Sequence, residues 1–253
     1  MLLIFYAFDR EIAPLLRRIG ERRALDVNGL RGFRGRFGAV DFAAVHTGIG
    51  LERARESARR TFDRLTEPEL VVATGVVGAL TEGLRAGDVV LADRIVGDGE
   101  SSAHAIDLEQ HQRVGHALRR AGLRYSSGPL LSARVMLATP ADKRSAKDSS
   151  GAIAVDMETW ALAHEASGRG LRFVSVRTVI DEVGDELAKV KLNPDGSVRG
   201  LATAKYLALN PRMLLLLPRT MSNMRRATKS IADALEAIAR GLDTMGPKVG
   251  SRL

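Results

Sequence analysis

AVDMETWALAHEASGRGLRFVSVRTVIDE, residues 154–182, reads as strand, helix and strand, with an acid closing each strand. A short apolar strand spans Ile153 to Asp156, and Met157 to Ser167 has helix-forming composition. Leu171 to Ile180 is a β-prone run that ends on Asp181-Glu182. The same grammar recurs upstream. Leu2 to Ala7 reads as a buried strand, and a helix with Asp9 as its expected cap runs to Gly20, with Pro14 inside it. Gly29 to Gly38 reads as a hairpin at a sheet edge. Val40 to His46 is a strand entering the glycine turn Thr47-Gly48-Ile49-Gly50 and a helix, Leu51 to Leu65.

Leu70 to Thr74 follows as a short strand, with Gly75-Val76-Val77-Gly78 expected to turn the chain. Asp88 to Val96 is a strand, His104 to Asp107 is irregular, and Leu108 to Ala121 is a helix. Tyr125 to Val135 holds another strand, and Pro140 to Lys147 reads as a short polar helix and loop. Strands alternating with helices predict an α/β sheet with helices on both faces. In such sheets a site lies outside the carboxyl ends of the strands, where the glycine turns and Asp181 fall.

Glu182 to Val198 is polar, carries the turn signal Pro194-Asp195-Gly196 and reads as a mobile loop. Residues 201–242 form a separate basic, apolar segment, with Pro211 and Pro218 around Leu214 to Leu217 and a final helix from about Ser222 to Gly241. Gly246 to Leu253 reads as a frayed tail. The 253 residues are otherwise taken as one domain, 1–253.

Composition narrows the function. Hydrophobic residues make up 45% of the chain, enough for one sizeable core. Cysteine is absent, which excludes disulfides and cysteine metal sites, and the five histidines show no ligand pattern. The net charge of +8 attracts phosphates, nucleic acid or anionic membranes, but only 4% of residues are aromatic, too few for nucleic-acid stacking platforms. The apolar start, Met1 to Phe8, meets an acid-base pair with no small-residue cleavage site, so no secretory signal is expected. No apolar run reaches the ~20 residues of a membrane span. Cytoplasm is the default location.

Glu158 and Asp181 are the residues on which chemistry can rest. An ionised carboxylate only accepts hydrogen bonds, which suits neighbouring sugar hydroxyls at Glu158. Asp181 can share a proton with a heterocycle nitrogen. Asp156 and Glu158 are equally readable as acids that begin a helix, favoured there by the dipole.

The blocks resemble a known family. Val155-Asp156-Met157-Glu158, followed by Val176-Arg177-Thr178-Val179-Ile180-Asp181, is similar to the signature of the purine nucleoside phosphorylase and 5′-methylthioadenosine/S-adenosylhomocysteine nucleosidase superfamily. Thr74 to Leu80, Leu84 to Val90, His46 to Gly50 and Ala7 to Ile12 are similar to its further blocks, in the same order. The resemblance implies a three-layer αβα sandwich with a mixed central sheet, no cofactor, and phosphate as a candidate co-substrate. It places Asp181 at purine N7 and Glu158, with the Met157 backbone, at the ribose hydroxyls. Glu11 becomes the base that activates water. Met136 falls where the hydrolases set an aromatic ring against the base, Arg177 orients the carboxylates, and Asp156, Gly75, Val76 and Gly48 complete the substrate site. A homodimer or larger homo-oligomer acting on a small purine nucleoside is expected.

This chain departs from the pattern. Val76 replaces a usual Ser, Ile180 replaces the Ser or Asn before the catalytic Asp, and Ala73 stands where some phosphorylases carry a phosphate-binding Arg. Glu11 favours water and the adjacent Arg10 favours phosphate, so hydrolysis and phosphorolysis stay open; Glu11 also reads as an ordinary first-turn acid. Val76, Ile180, Trp160 and the basic tail resemble the hopanoid-associated phosphorylases, which implies an adenosyl-hopane substrate and peripheral contact with the inner membrane face. The tail is equally a terminal helix packed on the sheet with a solvated basic face. Against this stand a soluble methylthioadenosine or adenosylhomocysteine nucleosidase, and a non-catalytic nucleoside-binding or membrane-surface protein.

Overall fold

The computed structural model describes residues 1–100, 102–187 and 212–243. Ten strands form one mixed sheet: β1 (Leu2–Tyr6), β2 (Arg22–Val27), β3 (Leu30–Phe37), β4 (Val40–His46), β5 (Leu70–Ala79), β6 (Val89–Gly97), β7 (His104–Ala105), β8 (Tyr125–Ser132), β9 (Ala154–Asp156) and β10 (Phe173–Asp181). The helices are α1 (Asp9–Arg18), α2 (Leu51–Phe62), α3 (Leu108–Arg120), α4 (Pro140–Ser150), α5 (Thr159–Ser167) and α6 (Arg212–Asp243).

The strand order is β10-β6-β8-β9-β5-β1-β4-β3-β2, and β10 also pairs with β5. Strands β5, β10, β6, β8 and β9 therefore close into a ring, and β1, β4, β3 and β2 extend from it as an open sheet. β1 runs parallel to β4 and β5, β5 parallel to β10, and β6 and β9 parallel to β8. The β10–β6, β5–β9, β2–β3 and β3–β4 pairs are antiparallel.

Strand alternation sorts the core into two sides. Leu3 and Phe5 of β1 face α2 and α5, joining Ala54, Ala58, Phe62, Ala161 and Leu162. Leu2, Ile4 and Tyr6 face the other way, with Ile12 and Leu15 of α1, Leu118 of α3 and Leu235 and Ile238 of α6. These are the three layers. In α6 the buried Ile231, Leu235, Ile238 and Leu242 recur at helical spacing and cover the sheet, while Arg225, Arg226 and Lys229 are exposed. Its described side chains thus form a packed helix with a solvated basic face.

Several expectations need correction. Gly75 to Gly78 does not turn; β5 runs straight through it because β1, β10 and β9 pair along its length. The edge hairpin is longer than expected, starting at Arg22, and turns at Asn28-Gly29 with positive φ at both residues, the geometry that matches strand twist. Asp9 is inside α1 rather than capping it. The Glu11 carboxylate instead accepts from the backbone N–H of Ala7 (2.7 Å) and Phe8 (3.1 Å). His104-Ala105 pairs with β6 rather than being irregular. The final helix begins earlier, at Arg212, and continues through Pro218. The expected turn at Pro194 to Gly196, most of the expected loop and the tail from Gly246 lie outside the described residues.

At the centre, Arg177 of β10 is 1% exposed. Its Nη2 lies 2.7 Å from Asp156 Oδ2, and its Nε and Nη2 donate to Thr159 Oγ1 at 3.1 and 2.7 Å. Removing one partner of a buried pair strands the other charge at a cost of ~3–5 kcal/mol. Arg177→Met is therefore expected to destabilise the protein by about that amount in urea unfolding. Arg36→Ala, which removes the exposed Arg36–Asp41 pair, should cost no more than ~1 kcal/mol.

Candidate active site

The turn from β9 into α5 carries two acids with different surroundings. Asp156 is fully engaged: Ser132 Oγ (2.5 Å), the Thr159 hydroxyl and N–H, and Arg177 all contact its oxygens. It fixes the turn and has little capacity left for a ligand. Glu158 is less engaged. Its Oε1 accepts from the Gly50 N–H at 2.8 Å, and its Oε2 lies 3.4 Å from the Met157 N–H. Burial and the nearby Asp156 push its carboxyl up to about 8, against the opposing pull of Arg177 and the Gly50 N–H. Glu158 therefore keeps its proton to higher pH than a free carboxyl does, and in that form it donates as well as accepts.

Glu11 comes from α1. Besides the Ala7 and Phe8 amides, its Oε1 accepts from the Val76 N–H at 2.9 Å. The role visible at position 76 is played by the backbone, which Val supplies as well as Ser. Gly75 has φ +139°, and a Cβ there would lie 2.5 Å from Glu11 Oε1 and 2.6 Å from Arg177 Nη1. Only glycine lets both side chains close on β5 at this point. Burial raises the Glu11 carboxyl, opposed first by Arg177.

Asp181 closes β10, where the register with β5 slips around Ile180. The Ile180 carbonyl accepts from Asn223 Nδ2 of α6 at 3.0 Å. The helper hydrogen bond that Ile180 cannot give to Asp181 comes from Lys143, whose Nζ donates to Asp181 Oδ2. The same ammonium donates to the Glu182 carbonyl (2.7 Å) and the Asp185 carbonyl (3.2 Å). Burial raises the Asp181 carboxyl and Lys143 opposes that rise. Lys143 escaped the sequence reading because it sits in a polar helix with no apolar stripe; it is the one fully buried residue of α4.

Glu11, Glu158 and Asp181 line one cavity of about 870 Å³, together with Val76, Val77, Met136, Leu137, Val155, Asp156, Met157 and Ile180. Arg219, Thr220 and Asn223 of α6 form part of its wall. Arg219 pairs with Asp185 at 2.9 Å. Arg177 and Gly75 stand behind the wall and act on it through Glu11 and Asp156. Gly48 lines a neighbouring cavity of about 740 Å³, which shares Ala7 and Phe8 with the first and contains Arg31, Arg53 and Arg60. Arg10 is exposed and lines neither cavity, and Ala73 is buried in β5.

Such a molecule is a three-layer α/β protein with four buried acids, one of them committed to Arg177, converging on one largely apolar cavity at the strand ends. The family model described as "Phosphorylase superfamily" matches residues 2–205. The chain belongs to that superfamily. A 5′-methylthioadenosine/S-adenosylhomocysteine nucleosidase of Geobacillus thermodenitrificans is 26% identical over 200 residues, covering 72% of this chain and 84% of the relative. Among solved structures, futalosine hydrolase of Helicobacter pylori superposes with TM-score 0.74 at 14% identity, over 94% of this chain and 97% of its own. The Neisseria meningitidis 5′-methylthioadenosine/S-adenosylhomocysteine nucleosidase, in complex with methylthio-immucillin-A, gives TM-score 0.71 at 17% identity, over 93% and 98%. At these identities the structural likeness concerns the fold.

The raised Glu158 carboxyl sets a stability prediction. In the unfolded chain this group ionises near 4.5, and in the folded protein near 8. Wild-type stability from this group is fully present below 4.5 and is lost as pH rises through 8. Each tenfold difference in acidity between the two states corresponds to about 1.4 kcal/mol. Glu158→Gln cannot ionise. Its stability relative to wild type should therefore climb by a few kcal/mol between those two pH values and level off above, as read by urea unfolding across the range.

Proposed function

We propose that the protein cleaves the N-glycosidic bond of an adenine-bearing nucleoside, with water as the acceptor. The observation that carries this reading is the meeting of Glu11, Glu158 and Asp181 on one cavity. Breaking the C1′–N9 bond builds negative charge on the purine and positive charge on the sugar. Asp181, whose carboxyl burial raises against the pull of Lys143, gives its proton to N7 as the base departs. Glu158 and the Met157 backbone hold the ribose hydroxyls. Glu11, anchored by three backbone N–H groups, takes a proton from the water that attacks C1′. Interactions that strengthen only as these charges develop lower the barrier.

Water is preferred to phosphate on electrostatic grounds. The group facing the attack position is a carboxyl, and the nearby Arg177 is already committed to Asp156 and Thr159. Arg10, the cation expected to favour phosphate, is absent from the cavity lining. No cofactor enters this scheme.

The finer reading concerns the 5′ substituent. Val135 (65% exposed) lines the cavity, and Met221 (57% exposed) lies on the stretch of α6 that contributes Arg219 and Thr220. Exposed apolar side chains beside an apolar cavity suit a large apolar 5′ group, as in an adenosyl-hopane, in preference to a small thioether. Arg219, Arg225 and Arg226 of α6 supply cations for peripheral contact with an anionic membrane, where such a lipid would be met. Among the described residues no helix is long and apolar enough to cross a membrane. A homo-oligomer belongs to the same proposal.

The test is incubation with adenosine, 5′-methylthioadenosine and a 5′-alkyl-extended adenosine, with and without phosphate, followed by chromatography. Free adenine and free sugar are expected in all conditions, fastest with the extended substrate; sugar 1-phosphate formed only when phosphate is present would overturn the hydrolytic reading. Asp181→Asn should lower base release ~10²–10⁴-fold while nucleoside binding persists. Unchanged turnover would remove Asp181 from the mechanism.

A further inference from the structure

Helix α4 is laid on the protein through a charge. Its apolar content is low, its N-terminus is set by Thr139, whose hydroxyl accepts from the Asp142 N–H while Asp142 accepts from the Thr139 N–H, and its one fully buried side chain is Lys143. Burying an ammonium costs several kcal/mol unless every donor is met. Here three acceptors meet its three hydrogens: Asp181 Oδ2 and the carbonyls of Glu182 and Asp185. All three belong to the end of β10 and the loop after it. Two of the acceptors are backbone carbonyls of that loop, and the third, which also supplies the counter-charge, is the acid of the proposed reaction. The bond to that acid occupies Oδ2 and leaves Oδ1 without a hydrogen-bond partner among the described residues, on the wall of the cavity.

We propose that Lys143 is a positioning residue for base departure: its fixed ammonium aims Asp181 Oδ1 at the purine and balances the negative charge left on that carboxylate once its proton has gone. This inference rests on the N-glycosidic reading of the site. As the C1′–N9 electron pair passes to the purine, the proton on Asp181 Oδ1 moves to N7, leaving Asp181 anionic against the Lys143 ammonium. Water adds to C1′ and gives its proton to Glu11. Transfer from Glu11 through solvent then restores the proton of Asp181, so nucleoside and water become free base and free sugar. Burial raises the Asp181 carboxyl and the adjacent cation opposes that rise, which makes Asp181 a stronger acid than burial alone would. In this chain the cation takes the place of the hydroxyl or amide that Ile180 lacks.

The charged groups around Asp181 come from several elements. Lys143 approaches from α4, Glu182 and Asp185 from the loop, and Arg219 from α6 through its pair with Asp185. Glu158 and Asp156 stand on the β9–α5 turn, Glu11 on α1, Arg134 after β8 and Glu186 on the loop after β10, all lining the same cavity. Asp185 raises the Asp181 carboxyl and Lys143 lowers it. The two can therefore be separated by sign.

The experiment is the pH profile of kcat/KM for adenine release by wild type, Lys143→Met and Asp185→Asn, with thermal melts of each. Base release needs protonated Asp181, and because Glu158, ionising near 8, is common to all three proteins, a difference between their alkaline limbs reports Asp181. Lys143→Met is expected to move the limb upward by about 1–3 pH units and to lower the plateau ~10–100-fold, because a weaker acid keeps its proton longer and gives it up less readily. Asp185→Asn is expected to move the limb downward. A Lys143→Met protein that is slower but whose limb stays in place would show a merely structural lysine and overturn the proposal. If Lys143→Met does not fold, Lys143→Gln takes its place, and a limb equal to that of wild type in that variant overturns the proposal. If wild type releases no base from any nucleoside tested, the N-glycosidic reading fails by itself. The ¹³C carboxyl titration of Asp181 in wild type and the two variants then reads the Lys143 effect without turnover, and equal titrations would overturn it.

Discussion

One guanidinium sets the conditions for the whole site. Arg177 is buried on β10, faces Gly75 across the ladder to β5, and is pinned by Asp156 and Thr159 at the start of α5. It thus ties together β5, β10 and the β9–α5 turn, the elements that carry or hold the acids. It is also one positive charge among Asp156, Glu158 and Glu11. Asp156 takes the ion pair, and burial outweighs the remaining field at the other two, so Glu158 and Glu11 retain their protons more readily than free carboxyls do. Neighbouring carboxyls thereby acquire different ionisation behaviour from their environments.

The second cation, Lys143, lies against Asp181. The two differ in kind. Arg177 is planar and forked, and its bonds hold a turn in place. Lys143 is a point charge at the end of a flexible stem, placed against a single carboxylate oxygen and two carbonyls. The exposed surface of the cavity wall is mostly apolar, and low polarity strengthens each charge interaction beside it. α6 completes that wall with Arg219, Thr220 and Asn223 while its apolar face covers the sheet. Removing α6 would therefore expose the core as well as open the site.

Much of this was legible in the sequence, for identifiable reasons. The alternation of β-prone runs with helical stretches gave the α/β layers, since period and composition are local properties. Asp181 stood out because it ends a strand, and Glu158 because it follows one into a helix. Other features depended on tertiary pairing. Gly75 to Gly78 has turn composition, yet neighbours along β5 keep it extended, and its first glycine serves close packing against Glu11 and Arg177. The closure of five strands into a ring leaves no mark on any one strand. Lys143 lies in a stretch that resembles a solvated surface helix, and nothing in its spacing reveals that its ammonium is sealed against Asp181. The basic, apolar C-terminal stretch allowed two readings, which only the burial of Ile231, Leu235 and Ile238 distinguishes for its described part.

The most direct measurement is a crystal structure of the protein with an adenosine C-nucleoside, whose carbon–carbon link between sugar and base cannot be hydrolysed. The account places the purine ring against Asp181 with N7 within hydrogen-bond distance of Oδ1, the ribose hydroxyls on Glu158 and the Met157 backbone, and a water between C1′ and Glu11. A nucleoside seated instead in the neighbouring cavity of Arg31, Arg53 and Arg60, or one that leaves Glu158 and Asp181 both untouched, would contradict it.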